Sequence, residues 1–189
     1  MGGGHAIYNN TVIANNGNIK DCIGGLPNFA IPGFVYRDSD IYNNYLEGCY
    51  DDGIEAEGAS MNVRVWGNTI KGTKTVGIAF APVIVGPLYV FRNVILDVSA
   101  GSDGATAYKL GETGTGNVYV YHDTVFAPGY TNGPAGWGSN AKSKNVVFKN
   151  NIFMVSRYVY EWPAQPPYEF DYNLMFTSDP SRFVKWYNG

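Results

Sequence analysis

Apolar and polar residues alternate along this chain over short stretches, and no stretch settles into a helical period. In residues 63–66, Val63 and Val65 alternate with Arg64 and Trp66; the chain then breaks at Gly67-Asn68 and turns apolar again. The same design recurs as "AIYNNTVI" (6–13), "DIYNNYLE" (40–47), "LYVFRNVI" (88–95), "VYVYHDTV" (118–125), "VVFKNNIF" (146–153) and, less cleanly, "EFDYNLMF" (169–176). Alternation of period two, closed by turn residues, predicts strands. The turn position is held by Asn10, Asn44, Asn68, Asn93, Asp123, Asn151 and Asn173, at steps of 34, 24, 25, 30, 28 and 22 residues. Variable steps about a fixed motif predict stacked coils with inserted loops of different length. A second series lies between these segments: "DCIGG" (21–25), "DGIEAEG" (52–58), "VGIAFAP" (76–82) and "ATAYKLGE" (105–112).

Strands at this spacing, with no helices between them, cannot make ordinary βαβ units. They can wind as a helix of strands, each coil pairing with the next at roughly 4.8 Å. The expected fold is therefore all-β, a right-handed single-stranded parallel β-helix of about seven coils. Right-handedness follows from the hand of parallel crossovers, which is right in about 98% of cases. An antiparallel sandwich or barrel is the alternative, and it would need regular hairpin turns that are absent. One domain spans residues 1–189, with 157–189 as a less regular tail. Ile7, Ile41, Val65, Val90, Val120 and Phe148 are expected inside. Tyr8, Tyr42, Trp66, Phe91 and Tyr121 are expected outside, as one aromatic stripe. The ladder asparagines are expected to take left-handed backbone and to hydrogen-bond along the axis. Asn16 stands outside that ladder.

Composition removes several classes of function. A net charge of -3 without a Lys/Arg cluster argues against nucleic acid. No apolar run approaches the roughly 20 residues that span a bilayer, so no membrane partner is expected. The opening "MGGGHAIYNN" lacks the order of a signal peptide. Cys22 and Cys49 are too few for a disulfide framework, do not align on one ladder position and have no zinc spacing. "GETGTG" (111–116) lacks the lysine and helix of a phosphate loop.

The densest chemistry is "CYDDGIEAEG" (49–58). If Ile54 and Ala56 point inward, Glu55 and Glu57 point outward, roughly 6.5–7 Å apart. Asp21 aligns with Asp52 one coil earlier. Crowded carboxylates raise one another's pKa, and glycoside hydrolysis needs one acid and one base or nucleophile. The plain structural reading is that Asp before Gly makes a turn and surface Glu keeps an edge soluble. Asp21, Asp51, Asp52 and Lys109 are the candidate catalytic residues. Glu55, Glu57, Lys71 and Lys74 are the candidate substrate-binding residues. No metal site is assigned, although Asp21, Asp51, Asp52 and Glu55 offer the oxygen ligands that Ca²⁺ takes. His5 and His122 are the only histidines, and His122 reads as a surface turn residue.

The segments "IYNNTVI", "IYNNYLEGCYDDGIEAEGASMNVRVWGNTI" and "NVVFKNNIFMV" resemble the right-handed parallel β-helix proteins, the fold of pectate lyases, polygalacturonases, alginate epimerases and phage tailspikes. The resemblance covers almost the whole chain. It implies a polysaccharide, possibly acidic, as partner along a groove on one face. It also implies a parent protein that is secreted or extracytoplasmic, of which this chain is a central or C-terminal piece. In the polygalacturonase pattern, Asp21 matches the first catalytic aspartate, Asp51 and Asp52 match the pair, and Lys109 falls near the final lysine. Ile19 and Lys20 stand where that pattern has Asn and Thr, Val76 stands at its histidine, and its arginine is missing. The alternative is a β-helix module that binds glycan or serves assembly without catalysis.

The aromatic stripe has a sufficient structural reason in ring stacking between coils. As an apolar strip it also invites cover by the tail, by a sugar or by a second copy. A homo-oligomer through the first coil or this stripe is expected, burying Ile7, Tyr8 and Tyr42. The C-terminal end has Pro163, Pro166, Pro167 and Pro180 to discourage pairing.

Overall fold

In the computed structural model, residues 2–15, 18–98, 105–111, 114–129, 131–137, 143, 145–162 and 168–186 are described. Asn16, Pro163, Pro166 and Pro167 lie outside them, as do Glu112 and Thr113 of the Gly-rich loop. Among the described residues, twenty strands follow one another in repeating order. They begin with β1 (Ala6–Tyr8), β2 (Thr11–Ile13), β3 (Asp40–Tyr42), β4 (Tyr45–Glu47) and β5 (Asp52–Glu55). Next come β6 (Val63–Trp66), β7 (Thr69–Lys71), β8 (Val76–Phe80), β9 (Leu88–Phe91), β10 (Val94–Leu96) and β11 (Thr106–Gly111). Then follow β12 (Val118–Tyr121), β13 (Thr124–Ala127), β14 (Asn132–Trp137), β15 (Val146–Lys149), β16 (Ile152–Val155) and β17 (Tyr160–Trp162). The last are β18 (Tyr168–Asp171), β19 (Leu174–Thr177) and β20 (Val184–Trp186).

The chain is a parallel β-solenoid. Strands β1, β3, β6, β9, β12, β15 and β18 form the first sheet; β2, β4, β7, β10, β13, β16 and β19 form the second. The third runs β5, β8, β11, β14, β17, β20. Every strand pair is parallel, which excludes the sandwich and the barrel. The register stacks like on like: Ile7, Ile41, Val65, Val90, Val120 and Phe148 form one row. Ile41, Val65, Val90 and Val120 are wholly buried, Phe148 nearly so, and Ile7 packs against the core half-buried. Tyr8, Tyr42, Trp66 and Phe91 stack outside, with ring planes within 5° of parallel. The segments 158–162 and 168–171 do not lie over that stripe: they enter the third and first sheets as β17 and β18.

The asparagine ladder runs the length of the turn between the first and second sheets. Asn10 Nδ2 donates to Asn44 Oδ1 at 2.9 Å, Asn44 to Asn68 at 2.9 Å, Asn68 to Asn93 at 3.0 Å and Asn151 to Asn173 at 2.9 Å. From Asn44 onward each ladder amide also reaches a strand carbonyl of the preceding coil, as Asn68 does to Ile41 O at 3.0 Å, whereas Asn10 turns back to Tyr8 O of its own coil. The left-handed backbone expected at these residues belongs instead to the position before them. Asn9, Asn43, Gly67, Arg92, His122, Asn150 and Tyr172 all have φ between 53° and 64°. The tight turn needs one left-handed residue, and the ladder residue needs an ordinary φ to aim its amide along the axis.

Cys22 and Cys49, which do not align on one ladder position, form a single disulfide, with Cα atoms 5.6 Å apart. The backbone sets Cys22 beside Asp52, as its N–H donates to Asp52 O, so a comparison of equivalent ladder positions misses a bridge between non-equivalent ones.

Candidate functional site

Residues 19–23 run alongside residues 50–55 as a parallel extension of the third sheet. Tyr50 N–H donates to Ile19 O, Asp51 N–H to Lys20 O, Ile23 N–H to Gly53 O and Glu55 N–H to Ile23 O. This register brings Asp21 beside Asp52, as the sequence spacing predicts, and Asp52 N–H donates to Asp21 Oδ1 at 3.2 Å. Gly53 lets this coil sit close against the core: a Cβ there would meet Ile70 Cγ2 at 2.5 Å and Gly77 O at 2.6 Å.

Glu55 takes the outward side of β5, opposite the core residues Ile54 and Ala56, yet neither it nor Glu57 is a surface group. Glu55 is 5% exposed and Glu57 2% exposed. The loop at 24–34 lies over them. Asn28 Nδ2 donates to Glu55 Oε1 at 2.7 Å. A Cβ on Gly24 would stand 3.0 Å from Glu55 Oε2, and one on Gly33 would stand 2.5 Å from Glu57 O. Glycine at both positions therefore permits the close cover. What remains open is a cleft of about 310 Å³ lined by Lys20, Asp21, Gly24, Gly25, Leu26, Asn28 and Glu55.

Beneath the cleft lies a buried charge cluster. Lys109 stands two strands along from β5 in the third sheet, in register with Ala79 and Glu55. Its Nζ lies 2.9 Å from Asp52 Oδ2 and 3.2 Å from Glu57 Oε1. The first contact is a hydrogen bond. The second is close in distance but lacks hydrogen-bond geometry, so both Glu57 oxygens and Asp52 Oδ1 are left without a hydrogen-bond partner among the described residues. Burial pushes Asp52 and Glu57 each up to about 7, against the lowering pull of Lys109. Burial, then the nearby Asp21 carboxylate, raises Glu55. Burial opposes the charge on Lys109, but Asp52 and Glu57 outweigh it and hold its pKa above the usual lysine value. Two carboxyls near 7 around one ammonium titrate as a coupled set.

The structure thus gathers Asp21, Asp52, Glu55, Glu57 and Lys109. Asp51 stands at the rim, 3.5 Å from Lys20 Nζ. Lys71 belongs to the second sheet and pairs with Glu47 at 3.3 Å. Lys74 Nζ lies over the Tyr50 ring, 5.3 Å from its centre. His122 is an exposed turn residue, as expected. Asn28 and the glycines around it were not legible as site residues, because their role depends on a loop folding back over β5. Asp21, Asp52 and Glu55 each present an oxygen within 4.8 Å of the others, and they are the residues that could hold a cation. Lys109 already neutralises Asp52, one of the three.

Comparison with known proteins returns no match among protein-family models, curated proteins or solved structures. The fold is what places this chain: it is a parallel β-solenoid built on an asparagine ladder.

Proposed function

We propose that this chain is of the carbohydrate-active type seen in pectate lyase-like β-helix proteins, and that it binds and hydrolyses a polysaccharide across the cleft beside β5. The observation that carries this reading is the facing of Asp21 and Glu55 in one open cleft, with oxygens within 4.8 Å. Glu55, whose burial and acidic neighbour favour the protonated form, is the acid that protonates the glycosidic oxygen. Asp21 is the carboxylate that attacks the anomeric carbon. Glu55, now ionised, then takes a proton from the water that releases the sugar. With oxygens no more than 4.8 Å apart, the pair is closer than the roughly 6.5–9.5 Å of inverting glycosidases and falls on the retaining side. Lys20 on the cleft rim offers a cation to an acidic sugar. The disulfide fits an oxidising compartment, and so a secreted or extracytoplasmic location.

A second reading keeps the polysaccharide and removes the chemistry. Asp52 and Glu57 are buried around the partly buried Lys109, and such a cluster can serve to anchor the coil. A screen of pectin, alginate and glycosaminoglycans separates these readings, using reducing-end release for hydrolysis and ultraviolet absorbance of unsaturated products for lysis. Reducing ends that disappear with Glu55→Gln support the hydrolase. Unsaturated products, or turnover unchanged by Glu55→Gln, contradict it. Glycan binding with no turnover selects the binding module.

A further inference from the structure

The outward rows of the three sheets differ sharply in charge. The first sheet presents Asp40, Arg64, Lys149, Glu169 and Asp171. The third aligns Glu55, Lys109, Glu161 and Lys185. The second has only Glu47 and Lys71, already ion-paired, and no charged residue from β10 to β19. Instead Phe126 is 43% exposed, Ile152 37%, Leu174 63% and Phe176 55%. Met154 lies half-exposed between Phe126 and Phe176 in the same row. A single exposed apolar side chain means nothing; a contiguous patch across three strands marks an interaction surface.

We infer that this strip on β13, β16 and β19 is the interface through which two copies of the chain associate about a two-fold axis beside Met154. The strip is self-complementary about that point. Turning it by half a circle lays Phe126 of one copy on Phe176 of the other and Met154 on Met154, which is what an isologous contact requires. The strands of the strip carry no charged side chain that the contact would desolvate. Half-exposed side chains of this size present on the order of 100 Å² each. With Tyr172 flanking them at 76% exposure, they supply roughly 600 Å² per copy, against about 800 Å² for a standard interface. The expected dimer is therefore weak, with a dissociation constant in the micromolar range. The aromatic stripe of the first sheet is a poorer candidate, because its ring faces are spent on one another and charged rows flank it.

Light scattering on the full chain from about 1 to 100 µM spans the expected transition. The proposal requires a rise from one to two chain masses across that range. Phe176→Glu should shift the transition at least about 10-fold upward while leaving the melting temperature of this exposed position near wild type. Both native cysteines are engaged, so a new thiol reports cleanly. Met154→Cys should form disulfide-linked dimers on mild oxidation, and Tyr42→Cys on the first sheet should not. A wild-type monomer at 100 µM, or crosslinking through Tyr42→Cys in place of Met154→Cys, overturns the assignment.

Discussion

Asp123 occupies the ladder position that neighbouring coils fill with asparagine, and it has no amide to donate. Its Oδ1 accepts from Asn93 N–H at 2.7 Å and from Asn93 Nδ2, while Tyr108 OH donates to Oδ2 at 2.8 Å. Burial pushes this carboxyl up to about 7, and the donors from Asn93 and Tyr108 only partly offset it. A proton on Oδ2 gives Asp123 the donor that asparagine has elsewhere. The folded pKa lies above the unfolded value near 4. The stabilisation is therefore complete below about pH 4 and is lost as pH rises through about 7. Asp123→Asn should remove this component, so that the variant loses less stability than wild type between pH 5 and pH 8 in thermal melts. An equal loss in both would show that Asp123 is ionised throughout. At a genuine ladder amide the effect is independent of pH. Asn68→Ala removes the bond to Ile41 O, leaves the Asn44 donors without this acceptor and should cost about 1–3 kcal/mol in chemical denaturation. The sequence made the ladder readable because asparagine recurs at a fixed place after each strand. It did not reveal which turn residue takes positive φ, since Asn9, Arg92, His122 and Tyr172 share no side-chain chemistry.

Among the elements, the segment at 19–34 decides the character of the site. It contributes Asp21 and Asn28, lines the cleft and buries Glu55 and Glu57. The spacing of 31 residues was enough to align Asp21 with Asp52, because strand register transmits sequence spacing directly. The burial of Glu55 and Glu57 was not readable, because an alternating pattern reports which side of a strand a residue takes and says nothing of a loop laid over that side. The Cys22–Cys49 bridge ties this segment to the coil beneath across a separation of 27 residues. Replacing both cysteines by serine should cost about 2–4 kcal/mol in denaturant melts. It should also speed amide exchange at residues 19–25 more than in β9 or β12. Uniform exchange across the solenoid would show that backbone pairing alone holds the segment.

At the scale of the whole molecule, one repeating register accounts for the architecture and one departure from surface chemistry accounts for the site. Hydrophobic rows, outward aromatics and parallel pairing all follow from alternation and repeat, so the fold was legible where the motif is regular. The later strands of the third sheet, β14, β17 and β20, were not, because "NGPAGW", "YEW" and "VKW" carry too little alternation to stand out. Asp52, Glu57 and Asp123 all have folded pKa values raised to about 7, so their contributions fade in the same window. The melting temperature should therefore fall from pH 5 to pH 8, whereas a rise would mean that these groups are charged in the fold. In the open cleft, burial and then the neighbouring Asp21 carboxylate raise Glu55. Carboxyl-carbon NMR titration tests it most directly, in the wild type and in Asp21→Asn. Glu55 should titrate above the ordinary glutamate range and drop part of the way back when Asp21 is neutralised. An ordinary Glu55 titration, unmoved by Asp21→Asn, would contradict it.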